Sequence, residues 1–219
     1  AARSDVAAFR AELPAILRIA GPAMATNVAT PVATAIVTAQ IAAFGDAAVA
    51  GFAVIARVQP VAFALVFALS GAIGPIIGQN AGAGRPDRVR QTLRDSLLTV
   101  LGVVAVVWLV LAMTGSVIAN AFQLSGDAAA LFLFFCIWIA PSFAFTGAQF
   151  AANAAFNNLD KPHWSTAANW GKATIGTAPL VAGGAALGGA PGALAGQAVG
   201  SVLFGVAAVV FAGRLTRLR

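Results

Sequence analysis

LSGAIGPIIGQNAGAGRPDRVRQTLR, residues Leu69 to Arg94, carries an apolar helix through a glycine-rich exit into a burst of arginine. Gly71, Gly74, Gly78 and Gly82 recur every three or four residues and so share one helix face. Small residues on such a face let a second helix approach closely inside a bilayer. Pro75 removes one backbone hydrogen bond and predicts a hinge. Gly82 and Gly84 permit a turn, and Pro86 suits the opening of the next helix. Arg85, Arg88, Arg90 and Arg94 then mark a water-facing membrane edge.

The rest of the chain agrees with a membrane setting. Apolar residues make up 60% and charged residues 9% of its 219 residues, and the mean hydropathy is +0.89. A soluble domain carries about 25% charged residues, so this chain lacks the charge to cover a water-facing surface. The +6 balance falls in short clusters between apolar runs. That is membrane anchoring, not the basic and aromatic surface of a nucleic-acid binder. Cys136 is the only cysteine and His163 the only histidine, so neither an intrachain disulfide nor a metal site of standard spacing is expected. The chain does not begin with Met and has no compact signal-peptide core, which reads as part of something longer.

An apolar helix needs about 20 residues to cross the hydrocarbon core. Six crossings are expected, at about 13–43, 47–80, 92–119, 129–156, 163–187 and 191–214. The fold class is an all-α integral membrane bundle forming a single domain over residues 1–219. Arg3, Arg10, Arg18, Arg85, Arg88, Arg90, Arg94, Lys161, Arg214, Arg217 and Arg219 all fall on one side of this map. The alternate turns hold no basic residue, so both termini are expected in the cytoplasm.

Only Arg57 and Lys172 fall inside the predicted spans. A cation facing lipid there costs at least ~2.5 kcal/mol, so each should meet a partner or a wet cavity. In the first span, Asn27, Thr26, Thr30, Thr34, Thr38 and Gln40 interrupt an apolar helix. The threonines form one stripe that either walls a cavity or bonds to its own backbone. Pro22 and Pro31 favour a bent, mobile span. In the fourth span Ser142, Thr146, Gln149 and Asn153 share a face, which must point into the bundle. All seven acidic residues lie at or near span ends, so no mid-membrane proton carrier is evident.

Phenylalanine crowds the fourth span from Phe132 to Phe156; most of these rings are read as facing lipid or neighbouring helices. Trp108, Trp138, Trp164 and Trp170 are read as packing and interface residues. Gly192, Gly196 and Gly200 form a packing ladder, which Gly205 continues out of register. GAGRPD lacks the Lys-Ser/Thr of a phosphate loop, and no nucleophile motif is present, so an enzyme is not expected.

These segments resemble the second half of a multidrug and toxic compound extrusion (MATE) transporter. The resemblance rests on GPAMATNVATPVATAIVT, on the run from AAFGDAAVAGF to RPDRVRQTL, on ANAAFNNLDKP and on NWGKATIGTAP. It implies the C-terminal six-helix lobe of a twelve-helix transporter in the inner (plasma) membrane. Such a protein is expected to export small organic, often cationic, compounds by alternating access, coupled to H+ or Na+. The implied partners are the bilayer and an N-terminal six-helix lobe. Asn27, Thr30, Thr34, Arg57, Gln149, Asn153 and Lys172 are then the candidate cavity residues. Pro22, Pro31, Gly71, Gly74, Pro75 and Gly78 are the candidate packing and hinge positions.

Some members carry acids where Thr30 and Thr146 stand here. The chain is thus closer to the DinF-like branch, whose coupling aspartate belongs to the first lobe. No cofactor is implied, and the coupling ion would bind mainly in that other lobe. The alternatives are a lipid-linked precursor flippase of the same superfamily, whose cavity would be more basic, and a non-transporting truncated membrane module.

Overall fold

The computed structural model describes residues 6–217. The side chains of Arg10, Glu12, Arg18, Pro22, Thr26 and Arg217 lie outside the described residues, as do Arg3, Asp5 and Arg219 altogether. Every regular element among the described residues is helical. The order is α1 (Val6–Ala42), α2 (Asp46–Ala62), α3 (Ala64–Gly82), α4 (Pro86–Ala121) and α5 (Gly126–Phe134). A π-helical turn (Phe135–Ile139) and a 3-10 turn (Ala140–Ser142) lead into α6 (Phe143–Asn158). Then come α7 (Pro162–Ala173) and α8 (Ala178–Arg217).

Among the described residues, four stretches are long and apolar enough to cross a membrane: Ala64–Gly82, Pro86–Ala121, Gly126–Asn158 and Pro162–Thr216. The last one folds back on itself. Gly188 and Gly189 leave the helix inside α8, Gly189 at φ 61, where a side chain would be strained. The two limbs of this hairpin then pack at backbone distance. A methyl group on Gly192 would collide with the carbonyl of Gly184, one on Gly196 with that of Leu180, and one on Gly200 with that of Gly176. The small-residue ladder is thus a contact between neighbours in sequence. Gly205 leaves this register and packs on Phe145 of α6 instead.

The expected second span, 47–80, is two helices, and the break falls at Phe63 (φ -100, ψ 21). α3 continues through Pro75, so the hinge expected there is displaced toward Pro60 and Phe63. Phe63 is fully buried and stacks on Phe143, ring centroids 4.1 Å apart. α1 likewise continues as helix through Pro22 and Pro31. α4 begins at Pro86 rather than near residue 92.

The fourth expected span is irregular in its middle because of Pro141. Proline has no N–H to offer the carbonyl four residues back, that of Ile137. The indole Nε1 of Trp108 donates to that oxygen instead, at 2.9 Å. A carbonyl without a donor in hydrocarbon keeps an unmet desolvation cost, which the indole N–H offsets. Trp108 thus packs and also supplies a hydrogen bond between α4 and the irregular segment after α5.

Two apolar clusters form the interior. One gathers Val37, Ile41, Phe63, Phe132, Phe143 and Val181. The other gathers Ile73, Ile77, Leu93, Phe156, Leu159 and Ala212. Along α6, Phe143 belongs to the first and Phe156 to the second, with Thr146, Gln149 and Phe150 between them. Leu98, Leu101, Leu109, Val110, Met113 and Val117 of α4 remain exposed. A helix apolar on its outer face as well as its inner one is built to face lipid.

The turns sort to two ends. Gly84, Arg85, Leu159 and Thr216 border one small pocket, and the Nε of Arg90 donates to Thr216 O at 2.8 Å. The α3–α4 turn, the end of α6 and the end of α8 thus share the basic end. Phe44 lies beside Gly189, and Gly51 lies against Ala128, so the α1–α2 turn, the α8 fold-back and the start of α5 share the other.

Candidate functional site

Against the first apolar cluster lies a cavity of about 170 Å³. Its walls come from nearly every element. α6 presents Thr146, Gln149 and Phe150 at helical spacing, and α7 presents Asn169 and Lys172. α1 adds Thr30 and Thr34, α2 adds Gln59, and the second limb of α8 adds Gln197 and Ser201. Apolar wall comes from Ile55, Phe67, Phe135 and Phe143. Phe67 meets both Phe143 and Phe150 edge-on or tilted, at 5.7 and 5.6 Å.

Lys172 is the charge at this site. Its Nζ donates to the hydroxyl of Thr146 at 3.1 Å. An ammonium has three N–H bonds to place, and this is one of them. Just beyond Lys172 the chain leaves α7 before α8 begins at Ala178. Thr177, buried at the cavity wall, donates its hydroxyl to Lys172 O at 2.7 Å and closes the freed backbone. Phe204 fills the space between Gly171 and Gly176, fixing this irregular segment against α8.

Gln149 is 2% exposed, and its Nε2 has no hydrogen-bond partner. One turn further along α6, Asn153 Oδ1 is likewise buried without a partner. Buried amides of this kind call for an explanation, because each forfeits its hydration. On α1 the hydroxyl of Thr34 donates to Thr30 O at 3.1 Å, and that of Thr38 to Thr34 O at 2.8 Å. Thr34 and Thr38 therefore give their protons to the helix backbone, while Thr30 and Thr34 also wall the cavity. Among the described residues lining it, none is acidic.

The structure brings together Thr30, Thr34, Gln149 and Lys172 of the expected cavity residues. Asn27, Arg57 and Asn153 lie outside the cavity wall. Arg57 sits on α2 between two lining residues, Ile55 and Gln59, and helical periodicity turns it to the exposed side. Of the glycines in the opening segment, Gly74 and Gly78 lie against the side-chain amide of Asn158, whereas Gly71 and Gly82 face open space. Gln59, Asn169, Thr177, Gln197 and Ser201 were not singled out from the sequence. The signal was present, since each is a polar residue in or beside an apolar helix.

The fold and the sequence both have known counterparts. A mutant form of the Vibrio cholerae MATE transporter VcmN superposes with a TM-score of 0.88 at 25% identity, over 96% of this chain and 48% of that one. An uncharacterized 21 kDa protein in iaaL 5′ region of Pseudomonas savastanoi is 36% identical over 201 residues, 88% of this chain and 64% of the relative. A protein named FAD transporter from Shewanella oneidensis is 28% identical over 96% of this chain and 47% of its own length. The chain thus spans less than two thirds of these relatives and about half of the solved transporter. Residues 22–180 match the MatE family model, and the chain therefore belongs to the MatE family of membrane transporters, which are not enzymes.

Proposed function

We propose that this chain is the C-terminal lobe of an antiporter that exports organic compounds by alternating access. The observation that carries the reading is the cavity of about 170 Å³, walled by hydroxyl and amide groups, within half of a MATE fold. Polar groups inside a membrane bundle mark a substrate or ion path. An N-terminal six-helix lobe would complete the cavity and hold most of the H+ or Na+ site, since the described wall here offers no carboxylate. The six crossings then alternate. The basic end, with Arg85, Arg88, Arg90, Lys161 and Arg214, faces the cytoplasm of the inner membrane, with both termini on that side.

The likeness to the Shewanella FAD transporter supports an organic cofactor-sized solute as cargo. Lys172 is the one cation among the described lining residues, which suits anionic compounds better than cationic drugs. The test is flux from vesicles that hold the complete protein. Efflux of a flavin nucleotide or a fluorescent drug, abolished when H+ and Na+ gradients are collapsed, is the expected result. Gradient-independent leakage, or no flux of either compound, would sink the reading.

A further inference from the structure

We propose that Lys172 and Gln149 form a phosphate-accepting subsite within this lobe, so that the cargo is an organic phosphate. This deepens the transport reading above and rests on the cavity being part of the substrate path. Three observations converge on it. Lys172 lines the cavity with one N–H bond on Thr146, a neutral hydroxyl. Gln149 lines the same cavity, is 2% exposed, and holds an amide nitrogen with no partner. Among the described lining residues there is no carboxylate to neutralise the ammonium.

The geometry favours phosphate over other cargo groups. The groups able to donate stand on different elements: Gln149 on α6, Asn169 and Lys172 on α7, Gln197 and Ser201 on α8. A phosphate presents three acceptor oxygens, so donors arriving from several sides can all be used. An organic cation would set a like charge beside Lys172. A neutral cargo would leave the ammonium without a counter-charge in a low-dielectric bundle.

Riboflavin and riboflavin 5′-phosphate differ only in the phosphate, and both fluoresce. Their binding to the complete protein in nanodiscs, read by fluorescence quenching, tests the subsite. The phosphate form should bind at least about tenfold tighter, the size of one charge-assisted contact. Lys172→Met should remove most of that preference by weakening the phosphate form far more than riboflavin. Lys172→Arg should keep the preference, and Gln149→Leu should reduce it about threefold or more.

Equal affinities for the two flavins, or no binding of the phosphate form, overturn the proposal. So does a preference that Lys172→Met leaves intact while the thermal midpoint falls. That result would assign Lys172 to a carboxylate elsewhere in the protein. Vesicle flux separates the two readings: a Lys172-dependent preference in binding without transport supports the subsite and counts against the antiporter.

Discussion

The indole of Trp108 on α4 donates to the carbonyl of Ile137, the one carbonyl that Pro141 leaves without its helical partner. This contact spans two membrane helices and lets the fourth span carry a π turn and a 3-10 turn at mid-height. That irregular segment supplies Phe135, Ile139, Ala140 and Ser142 to the cavity wall. A structural hydrogen bond on the outer face thus sets the shape of the site on the inner one.

Removing the indole N–H should destabilise the bundle. Trp108→Phe keeps most of the ring and is expected to cost about 1 kcal/mol, the scale of interhelical hydrogen bonds in membranes. Pro141→Ala restores an N–H for Ile137 O. In that background Trp108→Phe should cost less, and a double-mutant cycle on thermal unfolding in detergent measures the difference. Full additivity would show that the two features are independent.

The α8 hairpin offers a sharper contrast. A methyl on Gly196 meets the backbone of Leu180, whereas one on Gly183 meets nothing within 4 Å. Backbone cannot step aside as a flexible side chain can. Gly196→Ala should therefore cost about 1–3 kcal/mol, and Gly183→Ala should change stability by less than about 0.5 kcal/mol. Comparable thermal midpoints for the two variants would contradict the close approach of the limbs.

How far these features could be read in advance depended on whether their cause was local. The turn at Gly84 with a helix opening at Pro86 and the Gly192–Gly196–Gly200 ladder follow from spacing alone, and both hold in the fold. The break at Phe63 was not legible. Pro60 and Pro75 look alike in the sequence, and burial of Phe63 against Phe143 distinguishes their surroundings. Asn158 reads as a turn residue, yet its amide lies against Gly74 and Gly78. The threonine stripe and Gln149 were visible as polar faces. Gln59 and Gln197 enter the same cavity only because α2 packs on α5 and α8 on α6, which no local pattern encodes.

In the proposed subsite Thr146 positions Lys172 and does not itself meet the cargo's charge. Its hydroxyl is the acceptor that the ammonium uses, 3.1 Å away. Thr146→Val keeps the shape and removes the acceptor, leaving Lys172 freer to move. Affinity for riboflavin 5′-phosphate should fall about three- to tenfold, as for a neutral hydrogen bond of about 1 kcal/mol. Thr146→Ser should restore it. A loss that Ser fails to rescue would point to packing of the methyl group instead.

The two ends of the bundle make orientation measurable with thiol chemistry. Cys136 is buried, and Cys136→Ser removes the one thiol of these 219 residues, any cysteine of the other lobe being replaced likewise. Ala83 is exposed in the turn at the basic end, and Leu187 is 93% exposed beside the Gly188–Gly189 fold-back at the opposite end. With the arginines held inside, Leu187→Cys should react with an impermeant maleimide in intact cells. Ala83→Cys should react only once the membrane is opened. The rule behind this counts basic residues flanking the spans, and every described arginine of the α3–α4 turn lies at the Ala83 end. The reverse labelling pattern would place the arginines outside and turn the antiporter reading from export into uptake.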